Sequence, residues 1–196
     1  MQTETFAPFR ITVCGLEELH GHCERGVSHV LSIMDPDLAP PPVFGAFGEH
    51  VRLDLRFDDV IEVGQGKQAP QREHVEAILG FGRDLLAEGR DGSGAHLLVH
   101  CHAGVSRSTA AMALILAQAR PDRSPAAAMA EVARIRPQAW PNLRIIEMGD
   151  AMLGLQGGMV TAAYDRYRAV AKVNPGHVKF FREMGRGREV EHLDVG

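Results

Sequence analysis

Residues 100–109 read His-Cys-His-Ala-Gly-Val-Ser-Arg-Ser-Thr and lie between two apolar runs. Ahead of them, residues 95–99 (Ala-His-Leu-Leu-Val) suit a buried strand; behind them, residues 109–118 are apolar on every side, as in a helix at the centre of a domain. A cysteine, a glycine and an arginine are thereby set on a tight turn from strand to helix. A helix start presents backbone N–H groups with no partner inside the helix, and its dipole favours negative charge. A turn of small residues can fold those groups into a nest around an oxyanion. Gly104 allows positive φ or a close backbone approach, and Arg107 brings a planar fork that bonds two oxygens at once. The same positive field favours a thiolate at Cys101, a nucleophile near neutral pH. Ser108 is placed to hydrogen-bond that sulfur and help it leave. Anion site and nucleophile are one object.

The rest of the chain supplies a frame for that turn. Residues 10–14 and 28–34 read as strands, the second ended by Asp35-Pro36. Residues 15–24 suit a short helix, and residues 36–48, rich in proline and glycine, a loop. Residues 50–57 alternate cleanly, with Val51, Leu53, Leu55 and Phe57 on one side and Arg52, Asp54 and Arg56 on the other, as in a half-buried strand. Asp58 and Asp59 end it, a loop follows to residue 69, and Pro70 suits the first turn of a helix running to about residue 88. Glycines at 89, 92 and 94 mark a loop before the strand that leads into the turn. Later helices are expected at 125–135 (capped by Ser124 with Pro125 next), from Asn142 to about 153, near 160–173, and at 177–184. The charged tail from Gly185 is expected to be loosely held. Strands alternating with helices, then helices alone, predict a single α/β domain over residues 1–196. Its central, mostly parallel sheet is flanked by helices in three layers, with the turn at the C-terminal end of a central strand.

Composition narrows the function. A formal net charge of −4 gives nucleic-acid binding no support. No apolar run is long enough to span a bilayer, and the first residues lack a basic region followed by an apolar one. Three cysteines, Cys14, Cys23 and Cys101, argue against a disulfide framework and for a reducing compartment, hence a cytoplasmic location.

His100-Cys101, then His102, Ala103, Gly104, Val105 and Ser106, then Arg107 and Ser108 match the signature of the cysteine-dependent protein tyrosine phosphatases. The wording of residues 103–108 resembles the dual-specificity branch. The resemblance covers residues 10–155 by order of elements and implies the same three-layer fold; residues 156–196 form a helical extension it does not explain. It implies a phosphomonoester hydrolase that works through a cysteinyl-phosphate, with Arg107 and the backbone N–H groups of His102 to Arg107 holding the phosphoryl oxygens and Ser108 assisting thiolate departure. It also implies an aspartate, upstream and after a strand, that protonates the leaving oxygen and later activates water. Asp58 and Asp59 stand there. With Phe57 facing inward, Asp58 is expected to point outward, which favours Asp59. His100 fits a role in ordering the loop and favouring the thiolate. Asn142 is open to two readings, a helix cap or a brace for the phosphate loop.

The substrate implied is phosphotyrosine or a dual-specificity phosphoprotein, or a small phosphoester, with no cofactor. The alternatives are a phosphoinositide or inositol phosphate phosphatase, though the loop has no lysine for extra phosphates; an inactive phosphate-binding module, against which Cys101, Arg107 and the aspartates are intact; and a rhodanese-type sulfurtransferase. No metal is expected. His100-Cys101-His102 and His20-Gly21-His22-Cys23 contain ligand types, but neighbours on a strand point to opposite sides. Cys14 and Cys23 read as inert thiols, with a protective disulfide to Cys101 as the other reading. The sequence leaves the oligomeric state open.

Overall fold

β-branched and aliphatic residues form four strands: β1 (Arg10–Cys14), β2 (His29–Met34), β3 (Val51–Arg56) and β4 (His96–His100). They pair in the order β1-β4-β2-β3, every pairing parallel. The computed structural model describes residues 6–64, 66–89 and 94–193. β2 and β4 have a strand on each side, and every residue in both is buried, which is why they read as mostly apolar runs broken only by His29, Ser32, His96 and His100. β3 is an edge strand, and its inward face is covered only toward its end: Val51 is exposed, Leu53 half-buried and Leu55 buried.

Each strand sends alternate residues to opposite faces. On one face Leu31, Ile33, Leu97 and Val99 pack beneath α1 (Arg72–Gly89), α2 (Arg107–Ala119) and the helices around them. On the other, Cys14, Val30 and Leu98 pack under two 3₁₀ segments, Leu16–His22 and Pro42–Ala46, through Leu19, Phe44 and Phe47. The second flanking layer is thus built of short 3₁₀ turns, one of them inside the expected loop at 36–48. α2 is buried from Arg107 to Ala117, as a helix apolar all round must be. It begins two residues earlier than its apolar run, because Arg107 and Ser108 belong to its first turn. The expected loop at residues 91–93 lies outside the described residues.

α3 (Pro125–Ile135), α4 (Leu143–Leu153), α5 (Gly158–Val173) and α6 (Gly176–Glu183) complete the chain. Ser124 caps α3 by accepting from Ala127 N at 3.2 Å, and Asn142 caps α4 by accepting from Ile145 N at 3.2 Å. α5 packs on α3 and α4, and α6 returns to the fully buried Trp140. The indole is stacked between Tyr167 (centroids 4.6 Å, 22°) and Phe181 (4.4 Å, 14°).

The tail is where the structure departs most from expectation. Arg186, Glu189, Val190 and Leu193 are buried, the glutamate fully so. Its charges are satisfied internally. Arg186 Nε and Nη2 donate to the two Glu189 oxygens at 2.8 and 2.7 Å, while Trp140 Nε1 (2.8 Å) and Leu143 N (3.0 Å) also donate to that carboxylate. Sequence charge suggested solvent; pairing is what permits burial. Glu189→Ala would leave the Arg186 cation, the indole N–H and an amide without this partner. It is expected to destabilise the protein by about 3–5 kcal/mol, read as a lowered urea midpoint. A midpoint within error of wild type would show the pair to be dispensable.

Candidate active site

The turn from β4 to α2 is held from outside by its carbonyls. Leu16 N donates to His102 O at 2.7 Å. Arg136 Nη2 and Nε donate to Ala103 O and Gly104 O at 2.8 and 2.9 Å, and Arg136 is itself anchored on Glu18 by two bonds of 2.9 and 2.7 Å. Trp140 N and Thr109 Oγ1 donate to Val105 O, and Asn142 N and Ala110 N to Ser106 O. Every carbonyl from His102 to Ser106 is thus engaged, while no backbone N–H from His102 to Arg107 donates a hydrogen bond among the described residues. The turn thus presents a concave row of unpaired backbone donors. Gly104 takes φ +66°, and a Cβ there would lie 2.5 Å from the Cys14 carbonyl carbon, so both its freedom and its lack of side chain are used.

Cys101, buried at the foot of this loop, has Sγ 3.2 Å from Ser108 Oγ. Arg107 is 2% exposed. Its Nη1 donates to Asp35 Oδ1 at 2.6 Å and to Phe57 O at 2.7 Å, and its buried Nε has no partner among the described residues. Asp35 also stands 3.5 Å from His102 Nδ1. A cleft of about 490 Å³ opens over the loop, bounded by Asp35, Asp59, Lys67 and, from the C-terminal region, Phe180, Met184 and Arg186.

The two aspartates after β3 differ in a way the alternation did not foretell. Asp58 does not point outward. It is buried and folded back on the loop ahead of it, accepting from Lys67 Nζ at 3.1 Å on one oxygen and from Gln68 N at 2.7 Å on the other. Burial raises its pKa, but the Gln68 and Lys67 bonds outweigh this and hold it below the usual carboxylate range. Asp59 is about a third exposed (32%), and its three partners all meet one oxygen: Ser106 Oγ at 2.7 Å, Asn142 Nδ2 at 2.9 Å and Arg186 Nη1 at 3.2 Å reach Oδ1. Oδ2 has no bond among the described residues. Burial works to raise Asp59, but the Arg186 and Arg107 charges and the bonds from Ser106 and Asn142 hold it below the ordinary range. The Asn142 side-chain oxygen caps α4, while its Nδ2 donates to Asp59 and its backbone N–H to Ser106 O.

His100 lies across the sheet from Cys101, because neighbours on β4 face opposite layers. Its ring sits 5.5 Å from that of Phe44, and Nδ1 meets Cys101 O at 3.4 Å. Burial pushes its pKa down to about 4, so it is uncharged at neutral pH and cannot favour the thiolate as a cation; ordering the Cys101 carbonyl is what remains. The depressed value has a consequence for stability. Unfolded histidine titrates near 6.5, so below that pH the unfolded chain binds a proton that the folded chain refuses until about pH 4. Stability present above pH 6.5 is therefore lost on acidification, by about 1.4 kcal/mol per unit across that window. His22, His29, His74 and His96, also depressed by burial, act in the same direction. Urea unfolding at pH 7.5 and pH 5 is expected to show a lower midpoint at pH 5, with His100→Asn less sensitive. Equal wild-type midpoints would contradict it.

No family model matches the chain, and no curated protein matches its sequence. Solved structures do. Human DUSP28 is similar at TM-score 0.55 and 18% identity over 74% of this chain and 90% of its own. The Yvh1 phosphatase domain from Chaetomium thermophilum is similar at 0.53 and 21% over 81% and 96%, and Cydia pomonella PTP-2 phosphatase at 0.54 and 21% over 72% and 84%. The chain has the dual-specificity phosphatase fold. On that fold, the described residues bring together Cys101, the nest of 102–107, Arg107, Ser108, Asp59 and Asn142. Asp58 is diverted to Lys67 and His100 to the opposite layer.

Three residues at this site of the dual-specificity phosphatase fold carried little or no signal in the sequence. Asp35 was legible only as an acid at the C-terminal end of a central strand, where parallel sheets gather ligands. Arg136 ends α3 like any other basic residue. Arg186 lies in a stretch whose charge suggested solvent.

Proposed function

We propose that the protein is a cysteine-dependent phosphomonoester hydrolase. The observation that carries this is the loop of 102–107 around Cys101, with its carbonyls tied outward and its N–H groups unpaired beside the buried, part-free Arg107 fork. Cys101 sulfur attacks phosphorus, the P–O bond to the leaving group breaks, and a cysteinyl-phosphate forms. The loop N–H groups and Arg107 take the equatorial oxygens and the charge that develops on them. Asp35 and the Phe57 carbonyl hold Arg107 in that position. Asp59 gives its proton to the leaving oxygen, and as a carboxylate then takes one from the water that splits the P–S bond. Ser108 donates to the departing thiolate.

For substrate class, an aryl phosphate such as phosphotyrosine fits the rim best, because Phe180 and Met184 give the cleft mouth apolar walls. The three cysteines are free, in keeping with a reducing, cytoplasmic setting. Among the described residues no helix is long and apolar enough to cross a membrane. Residues 156–193 are read as part of the same domain, since His177, Phe180, Met184 and Arg186 line the cleft.

Hydrolysis of para-nitrophenyl phosphate without added metal is the test. Wild type is expected to turn over. Asp59→Asn is expected to lose about 10²–10³-fold in kcat, with the basic limb of its pH profile gone. An inactive wild type that still binds vanadate would overturn the enzyme reading in favour of a phosphate-binding module.

A further inference from the structure

One side chain ties the C-terminal segment to the reacting groups. Arg186 lies just beyond α6, 3% exposed. Two of its nitrogens are committed to the fully buried Glu189, which Trp140 and Leu143 also hold. Its guanidinium carbon lies 4.8 Å from the ring centroid of Phe181, the same ring that stacks on Trp140. The fork is fixed on these sides, and its remaining nitrogen, Nη1, is 3.2 Å from Asp59 Oδ1.

We propose that Arg186 is the positioning residue of the general acid, clamping Asp59 by Oδ1 against Ser106 and Asn142 so that Oδ2 alone carries and delivers the proton. The inference rests on the reading of Asp59 as that acid. A carboxylate with one oxygen held by two hydrogen bonds and an ion pair has its rotamer fixed and its protonation confined to the other oxygen. A fixed cation at this distance also favours the ionised form, which suits the base of the second step and makes the acid of the first step scarcer at high pH.

The charged and titratable groups around Asp59 bear on that balance. The phosphate loop and α2 bring Arg107, with Asp35 and His102 on its far side. The loop after β3 brings Asp58, already paired with Lys67. The C-terminal segment brings Arg186 backed by Glu189, with Tyr167 behind them; His177 also lines the cleft. α4 offers only the neutral Asn142 at its cap. Arg186 is the cation that forms an ion pair with Asp59, at 3.2 Å.

The test is the pH dependence of kcat/KM for para-nitrophenyl phosphate. Because Arg186→Gln alone strands a buried glutamate, the neutral pairs Arg186→Gln/Glu189→Gln and Arg186→Met/Glu189→Gln serve as the variants, with Arg186→Lys as the conservative change. The neutral pairs are expected to move the basic limb upward by about one pH unit, so that they lose activity at low pH but close on wild type at high pH. Arg186→Lys is expected to restore the wild-type limb. Combined with Asp59→Asn, either neutral pair should change kcat/KM by less than roughly twofold. A folded neutral pair that loses activity equally at every pH, its limb unmoved, would reduce Arg186 to a packing residue and overturn the proposal. A wild-type profile that Asp59→Asn leaves unaltered would overturn the acid reading itself, and the clamp with it.

Discussion

Cys101→Ser is expected to abolish hydrolysis of para-nitrophenyl phosphate, by at least about 10⁴-fold in kcat, the scale on which a covalent enzyme loses its nucleophile. Several features make the change this severe and also clean. Serine matches the cysteine closely in shape, and the site is buried at the foot of β4, so the loop with its outward-tied carbonyls should keep its form. A hydroxyl is far harder to ionise than a thiol, and His100, its neighbour on β4, faces the opposite layer with Phe44. The variant should therefore still bind vanadate or phosphate while failing to turn over. Residual turnover within tenfold of wild type would mean that another group attacks phosphorus.

Arg107→Lys is expected to be the second most damaging change, by about 10³-fold in kcat/KM, within the range for removing a charged donor from a phosphoryl-transfer transition state. The substitution keeps the charge and discards the fork. In the protein Nη1 is already occupied by Asp35 and the Phe57 carbonyl at 2.6 and 2.7 Å, so in the proposed mechanism the remaining edge, with its buried unpaired Nε, would meet the oxyanion. Lysine has one point donor group and cannot satisfy the Asp35 anchor and two phosphoryl oxygens at the same time. The loss should fall mainly on kcat. If the variant instead lost only affinity, with kcat within about threefold of wild type, Arg107 would be a ground-state binder and the fork would not serve the transition state.

The centre of this site was legible in the sequence because its physics is local. Strand, small-residue turn and helix start follow one another within residues 95–118, so Cys101, the nest and Arg107 are placed by neighbours in the chain. The parallel sheet was legible because β2 and β4, covered on both faces, are mostly apolar, with only His29, Ser32, His96 and His100 as polar members. What escaped reading depends on groups distant in sequence. Arg136 holds the loop from 32 residues away, and Arg186 meets Asp59 across the molecule. No periodicity marks such pairings. The alternation of β3 correctly placed Phe57 inside but misdirected Asp58, because the strand ends at Arg56 and the alternation ends with it; Lys67 and Gln68 then decide where that carboxylate goes. The tail misled for a related reason: Arg186 and Glu189 look like solvated charges in one dimension and form a buried pair in three.

The measurement that bears most directly on the central claim is acid quenching of wild type during steady turnover of para-nitrophenyl phosphate, followed by peptide mass analysis. A single phosphoryl group on the peptide containing Cys101, absent in Cys101→Ser, is the predicted result. Turnover with no phosphorylated Cys101, or with the phosphoryl group on another residue, would contradict the covalent mechanism.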